Sequence, residues 1–172
     1  RQMLHPIQWQ ALETWLLEAN KAYPLKFLVT SSALLYELPL DVPDRWSAFP
    51  QERDRLLHFL AAHGIEGVYF LSGDLHSAHA TRAWLYGPDG KRILVYEFCS
   101  TPFEQESNYL STYFRRRPRS AAIAHFEHLF TISRNNFGIV HVDFSTPPPK
   151  VRFECVYEER EGIWRSRECI CP

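Results

Sequence analysis

The sequence lacks the features that would assign a function class at once. Its 19 Lys and Arg residues nearly balance its 20 Asp and Glu residues, so no overall field attracts nucleic acid or an anionic membrane. The four cysteines form neither a dense disulfide framework nor the paired CxxC spacing of a structural zinc site. No apolar run approaches the roughly 20 residues that span a bilayer. Any anionic ligand must therefore be bound by a local site.

The amino terminus also lacks the basic and then apolar layout of a secretory signal. The chain begins at Arg1 and enters an amphipathic segment within a few residues, which predicts that it starts inside a longer polypeptide. With 45% hydrophobic and 23% charged residues, the composition is typical of a globular domain. The cellular compartment stays open, because a secreted or periplasmic location and a cytoplasmic one both fit.

The first half of the chain alternates helical and strand patterns. Apolar residues recur at steps of three and four over Ile7–Asn20, which predicts a helix with one buried face. A second helix is predicted from about Pro50 to Gly64. Continuous apolar runs at Lys26–Thr30 and Gly67–Ser72 predict buried strands. The order helix, strand, helix, strand favours a layered α/β fold with adjacent parallel strands.

The second half of the chain favours antiparallel strands. Arg82–Tyr86 and Ile93–Phe98 flank a Gly-Pro-Asp-Gly turn, an arrangement typical of a hairpin. The later patterns predict a short helix at Ser120–Phe130 and two strands, Ile139–Phe144 and Val151–Tyr157. We therefore expect parallel strands followed by antiparallel strands, as part of an α/β sandwich.

One short motif places metal-ligating residue types directly after a predicted strand. Asp74 and His76 are separated by one residue and follow Gly73, which allows a sharp turn. If the segment is extended, both side chains point the same way. Ligands gather at the carboxyl ends of strands in open α/β sheets, and a carboxylate with an imidazole suits Zn, Mn or Fe. The alternative is structural: Asp74 caps a turn and His76 is an ordinary loop residue.

Several other short motifs occur in a fixed order along the chain and form a wider pattern with this one. They are Gln8-Trp9 and Trp15-Leu16 in a helix, Lys26-Phe27-Leu28-Val29 in a strand, Asp44-x-Trp46, Glu52-Arg53, Leu71-Ser72-Gly73-Asp74-Leu75-His76-Ser77, Glu97-Phe98-Cys99-Ser100-Thr101-Pro102 and Asn136-Phe137-Gly138. This order resembles the PhoD-like (alkaline phosphatase D) branch of the calcineurin-like metallophosphoesterases. The resemblance covers most of the chain, and it implies the carboxyl-terminal part of one catalytic domain over residues 1–172.

The resemblance implies a metal-dependent phosphoesterase. Asp74 and His76 would each ligate a different ion of a centre with two or more metal ions, whose identity among Fe, Ca, Mn and Zn stays open. The implied reaction is hydrolysis of phosphomonoesters or phosphodiesters by a metal-activated water. A phosphate ester is thus the expected ligand, no membrane span is expected, and nucleic acid enters only as one of the candidate substrates.

The family's earlier ligand blocks have no counterpart in this sequence. Two side chains do not hold a binuclear centre, so we expect the isolated chain to be inactive and its partner to be the upstream part of the same polypeptide. The competing hypothesis is a non-catalytic interaction module that keeps the phosphoesterase fold. A lone binding module unrelated to the family is a third, and stable monomeric folding of the isolated chain would support it.

Two further residues are candidates for the same site. His79 lies three positions beyond His76 and is predicted to reach the phosphate or support a ligand, against an ordinary loop histidine. Arg82 has forked donors that suit an anionic oxygen, and we place it as a substrate-binding residue, against a solvated strand-edge residue.

For the remaining candidates we prefer structural explanations over functional ones. Asp44 and Trp46 fit a capped turn with a buried Trp, although the family has a similar feature near its site rim. The basic run Arg115–Arg119 is typical of a solvated face. His125 and His128, at helical spacing, lack a third ligand nearby. The final cysteines of the chain, Cys169 and Cys171, are predicted to lie in an inert tail, with a metal or redox role as the alternative.

Overall fold

A computed structural model describes residues 2–37, 44–113 and 117–171 of the chain. The elements follow in the order α1 (Pro6–Ala22), β1 (Lys26–Val29), α2 (Pro50–Ala62), β2 (Val68–Ser72), β3 (Ala78–Tyr86), β4 (Arg92–Cys99), α3 (Leu110–Tyr113), β5 (Ile123–Ile132), β6 (Asn136–Asp143), β7 (Lys150–Arg160) and β8 (Ile163–Cys171), with short 3₁₀ turns at Trp46–Ala48 and Pro88–Gly90. Among the described residues, no helix is long and apolar enough to cross a membrane.

Helix α1 begins where the sequence supplies a capping box. The His5 side chain accepts a hydrogen bond from the Ile7 amide at 3.3 Å, and Gln8 accepts one from the His5 amide at 2.8 Å. These bonds satisfy amides that have no partner within the helix. On the buried face, the Trp9 indole donates to the Glu52 carboxylate of α2 at 2.9 Å. The two predicted helices are confirmed, and this bond joins them.

The first sheet has the strand order β1-β2-β4-β3-β5. Strands β1, β2 and β4 run parallel, and β3 and β5 add to them antiparallel. One face packs on α1 and α2 through a cluster that includes Leu16, Leu57 and Phe70. The other face packs on a second antiparallel sheet, β6-β7-β8, through pairs such as Phe98 with Phe153, whose ring centroids lie 4.6 Å apart. The expected α/β layers, with parallel strands followed by antiparallel strands, are confirmed.

Two predictions for the second half are wrong. Residues Ser120–Phe130 do not form a helix, because most of them belong to strand β5, which pairs along β3. Pairing with an exposed strand edge overrides the weak local preference of this segment. The final cysteines lie in strand β8 rather than in a tail. The sequence does not predict this strand, because most of its side chains are exposed and it therefore has no apolar alternation.

Candidate functional site

The segment that carries Asp74 and His76 is a turn at the carboxyl end of β2, which we call the 73–77 loop. Asp74 has φ 61° and His76 has φ 55°, so both occupy the left-handed region. The expectation of an extended segment is therefore wrong. Non-glycine residues in this region cost on the order of 1–3 kcal/mol each and persist where surrounding contacts hold them. Both residues nevertheless line one pocket.

Hydrogen bonds from two neighbouring segments hold the 73–77 loop. The His76 amide donates to the Thr101 hydroxyl at 3.1 Å, and the His76 carbonyl accepts from the Asn108 amide at 2.7 Å. The buried Cys99 thiol lies 3.7 and 3.6 Å from carbonyl oxygens at the two ends of the loop, those of Gly73 and Ser77. The strained conformation is thus fixed by strand β4 and the segment that follows it.

The ring of His76 is oriented by one hydrogen bond. Its Nδ1 lies 2.9 Å from the Glu106 carbonyl oxygen. Because a carbonyl only accepts, Nδ1 carries the proton, and in the neutral ring the lone pair lies on Nε2. Metal-binding histidines usually have this arrangement, in which the non-ligating nitrogen donates to a carbonyl or carboxylate. His76 is therefore in the tautomer that ligation through Nε2 requires.

Asp74 contacts an arginine that the sequence analysis missed. Arg45 Nε lies 3.6 Å from Asp74 Oδ2, and Arg45 Nη2 donates to the Asp74 carbonyl at 3.3 Å. Trp46, which is buried, donates through its indole to the Thr30 hydroxyl at 2.8 Å and so fixes the turn that carries Arg45. Trp46 is thus the buried tryptophan that the sequence predicted. Arg45 stands inside the Asp44-x-Trp46 motif, which was the signal in the sequence that could have identified it.

The pocket beside the 73–77 loop has a volume of about 370 Å³. Its walls are Asp74, His76, Thr101, Pro102, Phe103, Glu104 and Gln105. A volume in this range suits a small ligand. Phe103 and Glu104 are wall residues that the sequence did not single out.

Asp74 and His76 fit part of a metal site. They bring a half-exposed carboxylate and an imidazole to the same pocket, which is the donor chemistry of Zn, Mn or Fe sites. Within the described ranges, no group of three or more His, Cys, Asp or Glu residues is arranged to hold a metal ion. The described residues therefore hold no complete ligand set, and the ligand role of Asp74 and His76 stays a prediction.

His79 lies beneath the site, within the layer between sheet and helices. It is fully buried, its Nε2 lies 3.6 Å from Glu97 Oε2, and its ring stacks on Tyr36 with centroids 4.5 Å apart. Burial by itself lowers the pKa of His79, but the Cys99 sulfur and the Glu97 carboxylate outweigh it and raise the pKa to about 9. The role predicted for His79 stays a prediction. Because His79 does not line the pocket, its position favours support of a metal ligand over contact with the phosphate.

Glu97 is the buried residue whose importance the sequence analysis did not recognise. Its two carboxylate oxygens accept hydrogen bonds from the Leu34 and Leu35 amides, each at 2.7 Å. These bonds fasten the segment after β1 to the sheet, and Tyr36 of that segment stacks on His79. A charged residue in the middle of the apolar strand β4 was the signal in the sequence.

Arg82 is not brought together with Asp74 and His76. It lies on β3, on the face toward the second sheet, whereas His79 points to the helical side. Its Nε donates to the Glu127 carboxylate at 2.7 Å, and its guanidinium lies 4.9 Å from the centroid of the Trp84 ring. The predicted substrate contact stays a prediction that this placement does not favour.

His125 and His128 do not line the pocket. His125 pairs with Glu127 at 3.2 Å, while His128 lies 2.6 Å from the Thr131 hydroxyl, so these histidines do not share a site. Within the basic run, Arg115 and Arg116 lie outside the described residues.

One comparison with known proteins identifies a family. The model of the PhoD-like phosphatase family matches residues 7–153. A solved structure of PhoD is similar at 15% sequence identity and a TM-score of 0.45, covering 91% of this chain. The chain covers 34% of the length of that structure. A search of curated proteins found no match.

Proposed function

Since the chain belongs to the PhoD-like phosphatase family, we propose that it supplies the last metal-ligand block of a phosphoesterase. The reaction would be hydrolysis of phosphomonoesters or phosphodiesters. The observation that carries the proposal is that Asp74 and His76, whose ring is oriented by the Glu106 carbonyl, line one pocket.

Asp74 and His76 would each hold a different ion of a centre with two or more metals, of which Fe, Ca, Mn and Zn all stay candidates. When bound, such ions polarise phosphoryl oxygens and lower the pKa of the attacking water. The protein's own contribution is orientation: the Glu106 carbonyl fixes the His76 ring, and Arg45 holds the Asp74 backbone and carboxylate. A pre-positioned ligand pair needs little reorganisation when ions and substrate bind.

The remaining ligands would come from the upstream part of the same polypeptide. Strand β1 lies at an edge of the first sheet, and Val29 on it is 81% exposed. Beside this strand lies an apolar groove of about 370 Å³, whose walls include Leu12, Leu28 and Trp46. Exposed strand edges with apolar surroundings are normally covered in native proteins. The isolated chain is accordingly proposed to be inactive.

The test compares metal content and bis-p-nitrophenyl phosphate hydrolysis of the full-length protein with its Asp74→Ala and His76→Ala variants. We expect each variant to lose bound metal and at least tenfold in turnover, because loss of even the groups that only orient a metal ligand typically costs about 10- to 100-fold. His125→Ala, which removes an exposed histidine outside the pocket, is the matched control and should keep both.

Circular dichroism would establish that each variant is folded. Unchanged metal content and turnover in both pocket variants would contradict the proposal. Absence of metal and turnover in the unaltered full-length protein would instead favour a non-catalytic interaction module that keeps this fold.

A further inference from the structure

Exposed aromatic rings form a row that starts in the candidate site. Phe103, Phe137 and Trp164 are 69%, 37% and 47% exposed. The centroids of Phe103 and Phe137 lie 6.1 Å apart, and those of Phe137 and Trp164 also lie 6.1 Å apart, with tilted ring planes in both pairs. Rings this exposed add little to the core, and clustered exposed apolar groups often mark a binding surface.

The position of Phe103 is fixed by a buried asparagine. Asn136, which is 1% exposed, donates through its amide to the Pro102 carbonyl at 2.7 Å and through its side chain to the Thr101 carbonyl at 2.8 Å. The Ser100 hydroxyl donates to the Asn136 side-chain oxygen at 2.8 Å. The segment leading to Phe103 is thus pinned to the start of β6, where Phe137 lies. A residue whose adjoining backbone is held in this way loses less freedom when a ligand covers it.

Phe103 lines the same pocket as the proposed ligands. Phe103 is a wall of the 370 Å³ pocket that also contains Asp74 and His76. A phosphate held near those two side chains would extend its organic group along this wall. The other charged group of the wall is the Glu104 carboxylate, which disfavours a second anionic group on the substrate.

From these observations we infer that Phe103 forms the subsite for the organic group of the ester and that this site selects phosphate esters bearing an uncharged planar aromatic group. The inference rests on the proposed function and deepens it. Stacking on a phenyl ring recognises any flat π-system and requires no hydrogen-bond pattern. A saturated ring of the same size fills the space but lacks the π-face.

The experiment measures binding of phenylphosphonate and cyclohexylphosphonate to the metal-loaded full-length protein by calorimetry. We expect the unaltered protein to bind the phenyl compound roughly 3- to 10-fold more tightly, the range of aromatic pair contributions. Phe103→Leu should bring the ratio of the two dissociation constants close to one, and Phe103→Trp should preserve it. Phe144→Ala is the control, because that ring is 72% exposed and does not line the pocket.

Hydrolysis of bis-p-nitrophenyl phosphate is measured in parallel to separate the two proposals. The aromatic subsite is overturned if the unaltered protein binds both phosphonates equally, or if Phe103→Leu leaves the ratio of dissociation constants unchanged. If hydrolysis is normal in either case, the phosphoesterase assignment stays in place. No hydrolysis and no binding of either phosphonate overturns both. A ratio lost in Phe103→Leu and kept in Phe144→Ala supports the subsite.

Discussion

Replacing the buried carboxylate of Glu97 by an amide tests how the site is held. Glu97 is fully buried, and its oxygens accept from the Leu34 and Leu35 amides at 2.7 Å each. In Glu97→Gln the amide oxygen keeps one of these bonds, while its NH₂ group faces the other backbone donor. One charge-assisted bond is lost, worth about 1.5–3 kcal/mol, and a buried donor is left without a partner. We expect a loss of about 3 kcal/mol in the free energy of unfolding.

The same substitution should change the pH dependence of stability. The pKa of His79 is raised to about 9 from an ordinary value near 6.5, and the Glu97 carboxylate is among the causes. A histidine whose pKa is raised by folding contributes stability fully below its unfolded pKa, and this contribution is lost as pH rises through the folded pKa. Stability of the unaltered protein should therefore fall between about pH 6.5 and 9. The fall should be shallower in Glu97→Gln.

The assay is urea unfolding of the full-length protein across this pH range, with hydrogen exchange at the Leu34 and Leu35 amides as a local readout. Glu127→Gln is the matched control, because that glutamate also lies on a strand and pairs with Arg82 at the surface, where ion pairs contribute little. A loss below about 1 kcal/mol, with exchange at both amides unchanged, would refute the reasoning, since charge-assisted buried bonds are worth more than that.

Two further matched pairs test the backbone and the buried charge. Gly67 and Gly64 both have positive φ, but a Cβ on Gly67 would lie 2.0 Å from the Pro24 carbonyl oxygen, whereas one on Gly64 meets open space. We expect Gly64→Ala to cost about 1 kcal/mol and Gly67→Ala at least twice as much in urea unfolding, and equal costs would contradict the clash. Arg53 is 1% exposed and holds an ion pair and a backbone carbonyl, so Arg53→Ala should cost about 3 kcal/mol. Arg55→Ala, which removes a more exposed ion pair, should cost under about 1 kcal/mol, and similar values for the two arginines would refute the argument from burial.

Elements that bury one face in the core could be predicted from the sequence alone, because burial imposes a repeating apolar pattern on them. The apolar spacing of α1 and the continuous apolar run of β2 predicted both elements, because a core-facing helix and a central strand must bury those residues. The sequence also placed Asp74 and His76 directly after a strand, at the sheet edge where ligands gather. These features depend on residues close in the chain, so local pattern was sufficient.

Tertiary structure decided the rest. Strand β5 exists because it pairs with β3, and β8 because it pairs with β7, although neither segment has a clear strand pattern. The tautomer of His76 depends on a carbonyl 30 residues away in the chain, and the Glu97 bonds reach 63 and 62 residues back. Contacts between residues so distant in the chain leave no local periodicity. The orientation of Asp74 and His76, and the presence of Phe103 in the same pocket, therefore depend on how the chain packs in three dimensions.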